Sequence, residues 1–262
     1  MRRAKTWAMV LAAGGAALMG SLVAPALAQD MPAVKPATPA DWAAIAKLPD
    51  WSGIWQPDWG GLFGRPTVAP PVLTPEAKKV QDEYNAKKAK GENLQHEQAN
   101  CIPPGMPGIM RQPYPIEFLY SPGRVTIAHE TYSQVRRIYT DGRPNPEDPD
   151  PAFNGWSVGH WDGDTLVVET IGLDPATSVM EGIHPTEKTK IVERIGITAP
   201  DVITIETAIT DPTLFVGSYN LRNNYMRKRD WIIREYVCEQ NNRDKADEFG
   251  RPSLNIDKPP EN

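Results

Sequence analysis

The sequence predicts a mainly β protein: an eight-stranded antiparallel up-and-down barrel with an N-terminal helix and a long proline-rich covering loop. Three observations predict it. Beyond Arg124, four hairpin-like units rich in Val, Ile, Thr, Tyr and Trp follow one another. None of the 27 prolines falls inside these eight segments, as ladder hydrogen bonding requires. The apolar residues of the clearest segments recur with period two.

Residues 1–28 read as a secretory signal peptide. Arg2, Arg3 and Lys5 give a positive start, Trp7 to Val23 an apolar run, and Ala26-Leu27-Ala28 a cleavage site. Cleavage after Ala28 is expected, with export to a periplasm. Removing these 28 residues from 262 leaves 234, the size of one large β domain. It also takes the net charge from −5 to −8, because the segment carries three basic residues and no acid. Residues 29–50 form a linker with a short helix capped by Asp41. A single barrel domain spans 51–243, and 244–262 is a flexible tail.

Within that domain, Trp51 to Trp55 reads as a first short strand. Thr74-Pro75-Glu76 opens a helix over 75–90: a side-chain cap, proline at the first helical position, and an acid at the positive dipole end. Residues 91–123, with Pro103, Pro104, Pro107, Pro113, Pro115 and Pro122, read as one long loop. The hairpins follow: 124–130 with 134–140, 156–161 with 164–173 across Asp162-Gly163, 188–198 with 202–210, and 214–227 with 231–239. Eight such strands close into a barrel with room for one small ligand.

Composition excludes several classes. An acidic chain without basic clusters suits no nucleic acid. No second apolar run is long enough to span a membrane. No P-loop, dinucleotide fingerprint or zinc spacing occurs, so neither cofactor nor metal is expected. The expected partner is a small molecule; the sequence says nothing of oligomeric state. Cys101 and Cys238 are the only cysteines, and in an oxidising compartment they suggest one disulfide.

Candidate chemistry rests on few residues. Trp156, Val158, His160, Thr165, Val167, Glu169 and Ile171 share one face of their hairpin, and that mixed face suits either a lumen or a satisfied core. His160 there could act as a general base, or be a satisfied core histidine. His184, in a loop between hairpins with Glu187 nearby, is a second candidate. Glu193 alternates with Ile191 and Ile195, so it is buried and needs a partner from another strand. Arg136, Arg137, Arg222 and Arg234 are the options, and the pair is either a structural salt bridge or catalytic machinery. Glu117, flanked by aromatic residues in the long loop, is placed to cap the barrel and face a ligand. Catalytic candidates are therefore His160, His184, Glu193 and Glu117; ligand contacts fall to Trp156, Tyr114, Glu169 and Arg137, with Glu235 weaker. His129 and His96 read as surface residues. The tryptophans read mostly as core, with one or two free to stack on a cyclic or aromatic ligand.

The stretch GWSVGHWDGDTLVVET, 155–170, resembles the signature of a secreted bacterial protein family. The resemblance extends through residues 137–143, 184–187, 192–194 and 235–243, and it implies secretion but no particular activity. Separately, Gly53-Ile54-Trp55 ahead of antiparallel strands is similar to the G-x-W strand of lipocalin-like barrels. The long insertion between Trp55 and Arg124 departs from that pattern, so the likeness implies architecture alone.

Two functions fit. One is a cofactor-independent periplasmic enzyme transferring protons on a small cyclic or hydrophobic molecule, as a lyase, isomerase or hydrolase. The other is a non-catalytic carrier or sensor barrel that binds such a molecule.

Overall fold

A computed structural model describes residues 36–63, 68–92, 94 and 101–238. The signal segment, most of the linker, His96 and the tail lie outside the described residues. The chain divides into two units, Met1–Pro36 and Ala37–Asn262, and every element below belongs to the second.

Among the described residues, three helices lie before residue 90. α1 (Pro39–Ile45) starts at a capping box between Thr38 and Asp41, so Thr38 rather than Asp41 is the cap. α2 is Trp59–Phe63. α3 (Pro75–Ala89) is capped by Thr74, whose Oγ1 accepts from the Ala77 N–H at 3.2 Å. Only Ala77 of α3 is buried; the lysine-rich remainder is solvated.

Nine strands, not eight, close into one barrel in chain order: β1 (Ile54–Pro57), β2 (Ile116–Ser121), β3 (Arg124–His129), β4 (Val135–Tyr139), β5 (Trp156–Asp162), β6 (Thr165–Ile171), β7 (Lys190–Ala199), β8 (Val202–Thr210) and β9 (Ser218–Lys228). An odd number of strands cannot alternate direction all the way round. One neighbouring pair must be parallel, and it is β4 with β5. Its ladder is short, with Ile138 opposite Ser157 and Tyr139 opposite Val158. The up-and-down expectation fails at that seam alone.

The strand count differs from the sequence reading at both ends. β2 comes from the stretch read as loop, turned back onto β3 by Pro122-Gly123, with Gly123 at φ +70°. Conversely, 231–237 contains no strand. The edges of β9 are already taken by β8 and β1, so the expected hairpin partner has no free edge to join. In the β5–β6 hairpin the two-residue loop is Gly163-Asp164, one position later than expected, because Asp162 pairs with Thr165.

The barrel interior is a packed core. Ile127, Ile138, Leu166, Val168, Ile195 and Ile205 all have 0% exposure. A water-sized space beside them would leave accessible area, so the lumen holds side chains where the sequence suggested room for a ligand. Met106, Ile109 and Met110, from helical turns over Gly105–Gly108 and Ile109–Arg111, join the same core. The Tyr225 hydroxyl donates to the Met110 carbonyl at 2.8 Å, fixing that segment to β9.

On β5 and β6 the inward residues are Ser157, Leu166, Val168 and Thr170. Trp156, His160, Val167 and Glu169 face outward, the reverse of a lumen assignment. A one-residue change of phase exchanges the two faces of a strand.

Candidate functional site

The predicted catalytic residues do not converge. Glu193 is inside the barrel with 0% exposure, whereas His160 is exposed on the outer face of β5. Glu117 lies half-buried on β2, opposite Ala128, with its side chain on the face opposite buried Ile116 and Phe118. His184 is exposed, and its Nδ1 is 2.7 Å from the Thr177 carbonyl. Of the ligand candidates, Glu169 accepts from Asn145 Nδ2 at 2.8 Å and Lys190 Nζ at 2.9 Å, a surface ion pair. Glu235 is exposed. Arg137 and Trp156 line one outer groove and Tyr114 another.

Arg136 is the partner of Glu193. Its Nη1 donates to Oε1 at 3.1 Å and its Nη2 donates to Oε2. Nη2 also donates to Thr170 Oγ1 at 2.9 Å, and Nε donates to Ser157 Oγ at 3.3 Å. The carboxylate and guanidinium are joined through both oxygens and held by two hydroxyls. Such a pair is a satisfied structural network with no contact to solvent. His129, read as a surface residue, is also inside, at 2% exposure. Neither ring nitrogen has a partner among the described residues. Burial, then the nearby Arg136 charge, pushes its pKa down to about 3, so the ring is neutral. The period-two run Val125, Ile127, His129 carried this signal in the sequence.

A groove of about 390 Å³ opens on the outside, beyond β1 and the β3–β4 turn. It is lined by Trp59, Tyr114, Glu130, Trp231, Ile232 and Arg234, among others. Trp59, Trp231 and Ile232 are 52%, 41% and 74% exposed. Large apolar groups that remain in water together on one concave surface mark a binding surface more often than a packing accident. The sequence reads the tryptophans as mostly core with one or two free to stack on a ligand, and it does not single out Trp59 and Trp231.

The walls of this groove are anchored at several points. Residues 231–238 cross the surface as a strap. The Arg234 N–H donates to Glu130 Oε2 at 2.9 Å, and Ser133 Oγ donates to the Tyr236 carbonyl at 3.2 Å. Tyr236 packs against Tyr114 at 5.4 Å and Tyr132 at 5.2 Å between ring centres. Burial, then Tyr236, pushes the Tyr132 hydroxyl up to about 12. The strap ends at Cys238, bonded to Cys101 with S–S 2.12 Å. Tyr132 and Ser133 adopt φ +54° and +48° in succession. Two adjacent non-glycine residues in the left-handed region cost on the order of 1–3 kcal/mol each, and such strain clusters at functional sites.

No protein-family model matches this chain, and no curated protein does.

The groove offers binding chemistry. Two indoles and a tyrosine supply flat apolar surface, and Glu130, Asp230, Arg234 and Gln56 supply polar contacts. It contains no nucleophile beside a base. Among the described residues, no group of three or more His, Cys, Asp or Glu is arranged to hold a metal.

Proposed function

We propose that this protein is a small-molecule-binding barrel of the periplasm, a carrier or sensor that holds a cyclic or otherwise apolar ligand on its outer surface between Trp59 and Trp231. The single observation that carries this reading is the joint exposure of Trp59, Trp231 and Ile232 around one groove. The groove volume sits at the lower end of the small-molecule range of roughly 300–1,000 Å³. The signal-like start of the sequence and the Cys101–Cys238 bond support an oxidising, extracytoplasmic setting.

Proton-transfer catalysis has less support. It needs an acid and a base at one place, and Glu193 is bound to Arg136 inside the wall while His160 stands outside it.

The test is a ligand screen by saturation-transfer NMR on the full chain, repeated on Trp59→Ala and Trp231→Ala. Apolar cyclic compounds should bind the unaltered chain, and either substitution should weaken them about tenfold, the value of one buried aromatic contact. Hits that bind both variants undiminished place the site elsewhere and end this proposal.

A further inference from the structure

The parallel seam forced by nine strands creates a second groove. After β4 the chain must return along the barrel before β5 can run beside β4 in the same direction. That return passes the outer faces of Tyr139, Glu169 and Gly172. The two strands then share only two register positions. Below these, the first half of β4 and the residues leading into β5 diverge, leaving a groove of about 320 Å³.

Three features give this groove a chemical identity. Its wall is a stacked pair, Tyr139 and Trp156, with ring centres 5.1 Å apart and planes inclined by 25°. The Arg143 guanidinium lies 4.1 Å from the Tyr139 ring centre and donates to both oxygens of Asp141. Its two banks carry amides: Asn154 Nδ2 donates to Gln134 Oε1 at 3.3 Å. Its charge is that of Arg137 alone, which is exposed.

Three nearby basic groups have acids, whereas Arg124, opposite Tyr139 across the β3–β4 ladder but not part of the groove lining, has no ion pair among the described residues. Arg136 pairs with Glu193, Arg143 with Asp141 and Lys190 with Glu169. Arg137 has no ion-pair partner among the described residues. The groove therefore presents one uncompensated, fork-shaped donor beside a flat aromatic wall, on a chain of net charge −5. We infer that the β4–β5 groove is a second ligand site, distinct from the Trp59–Trp231 groove, and that it binds a flat organic carboxylate. The carboxylate meets Arg137 and the aromatic body lies along Trp156, because the two faces of Tyr139 are taken by Trp156 and Arg143.

Calorimetric titration of the full chain with 2-naphthoate, and with 2-naphthalenemethanol as its neutral counterpart, tests this. 2-Naphthoate should bind about tenfold more tightly than the alcohol, the size of one charge-assisted pair. Arg137→Gln should bring the two affinities together by weakening the carboxylate alone. Because Arg137 is exposed on a strand, this variant is expected to keep its circular dichroism and melting temperature. Trp156→Leu should weaken 2-naphthoate, and Trp231→Ala should leave the 2-naphthoate affinity unchanged. Equal affinities in the unaltered chain, no binding of 2-naphthoate at millimolar concentration, or Arg137→Gln with full carboxylate affinity each overturn the proposal. A carboxylate preference that disappears in Trp231→Ala overturns it too, by placing the ligand in the other groove.

Discussion

Glu193 and Arg136 meet inside the barrel with 0% and 1% of their side chains exposed, across the ladders of four strands. Every strand from β4 to β7 contributes to the network, since Ser157 stands on β5 and Thr170 on β6. The network therefore acts as a register clamp across the parallel seam, where the β4–β5 ladder itself supplies only two pairs.

Glu193→Gln should lower stability by about 3–5 kcal/mol, because it leaves a guanidinium buried without its counter-charge. Arg136→Met should do the same by stranding the carboxylate. The double variant Arg136→Met/Glu193→Leu should recover most of the loss, since both desolvation penalties vanish together. Urea midpoints read this directly. If the double variant is as unstable as the singles added, the pair contributes more than it costs to bury.

Neutral, unpartnered His129 predicts acid sensitivity. The unfolded chain takes up a proton on this ring below about pH 6.5, whereas the folded chain resists until about pH 3. Between those values the unfolded state binds more protons, so stability falls as pH falls, by on the order of 4 kcal/mol across the window. The depressed carboxylates Asp50 and Asp211 act in the same direction but lower down. Hydrogen bonds from Ser52, then the Arg227 guanidinium, hold Asp50 at about 2, so its contribution is present above 3.8 and is lost only as pH falls towards 2. From pH 6.5 to 4 the His129 slope stands apart, and His129→Phe should flatten it. A stability profile from pH 7 to 4 that is unchanged in this variant would falsify the assignment.

Much of this was legible in particular residues. Glu193 between Ile191 and Ile195 announced a buried carboxylate and an arginine partner from another strand. The β5–β6 faces were read in reverse for a physical reason. The inner face holds Ser157 and Thr170 because Arg136 needs their hydroxyls. The outer face holds Trp156, Val158 and Ile171, all half-buried, beside the return segment that the seam requires. Polarity alone could not tell these faces apart. β2 was hidden because the prolines around it outweighed one Pro-Gly turn. Residues 231–237 have strand-forming side chains but no free edge, a fact set by closure between β1 and β9. The groove they frame therefore depends on that closure and not on any single strand's pattern.

Gly105 should tolerate no side chain. Its φ is +56°, and an added Cβ would stand 2.3 Å from the Phe153 carbonyl oxygen and 2.4 Å from Thr177 Cγ2. One of those neighbours is backbone, so the segment carrying Met106, Ile109 and Met110 would have to leave the core. Gly105→Ala is expected to cost more than about 3 kcal/mol, well beyond the usual point-mutation range. Gly142→Ala is the control: it shares a positive φ but has nothing within 4 Å, so it should cost only the backbone strain, about 1–2 kcal/mol. Equal melting temperatures for the two variants would contradict the packing described for Gly105.

The Cys101–Cys238 bond ties the strap to the segment that inserts Met106 and Met110, and it closes a separation of 137 residues. In the chain-entropy account a loop of that length contributes roughly 4–5 kcal/mol by restricting the unfolded chain. Its second effect is local. Beyond β9, the contacts that hold the strap include the bond from the Arg234 N–H to Glu130, the hydroxyl bond from Ser133 and the Tyr236 ring contacts. Cys101→Ser/Cys238→Ser should therefore lower the melting temperature and, separately, weaken ligands in the Trp59–Trp231 groove, because Trp231 and Ile232 lose their fixed positions. Binding measured well below the variant's melting temperature distinguishes the two effects. 2-Naphthoate affinity in the β4–β5 groove should not change, since no wall of that groove comes from the strap. If both grooves weaken equally, the cross-link acts on the barrel as a whole; if neither weakens, the strap holds its place without it.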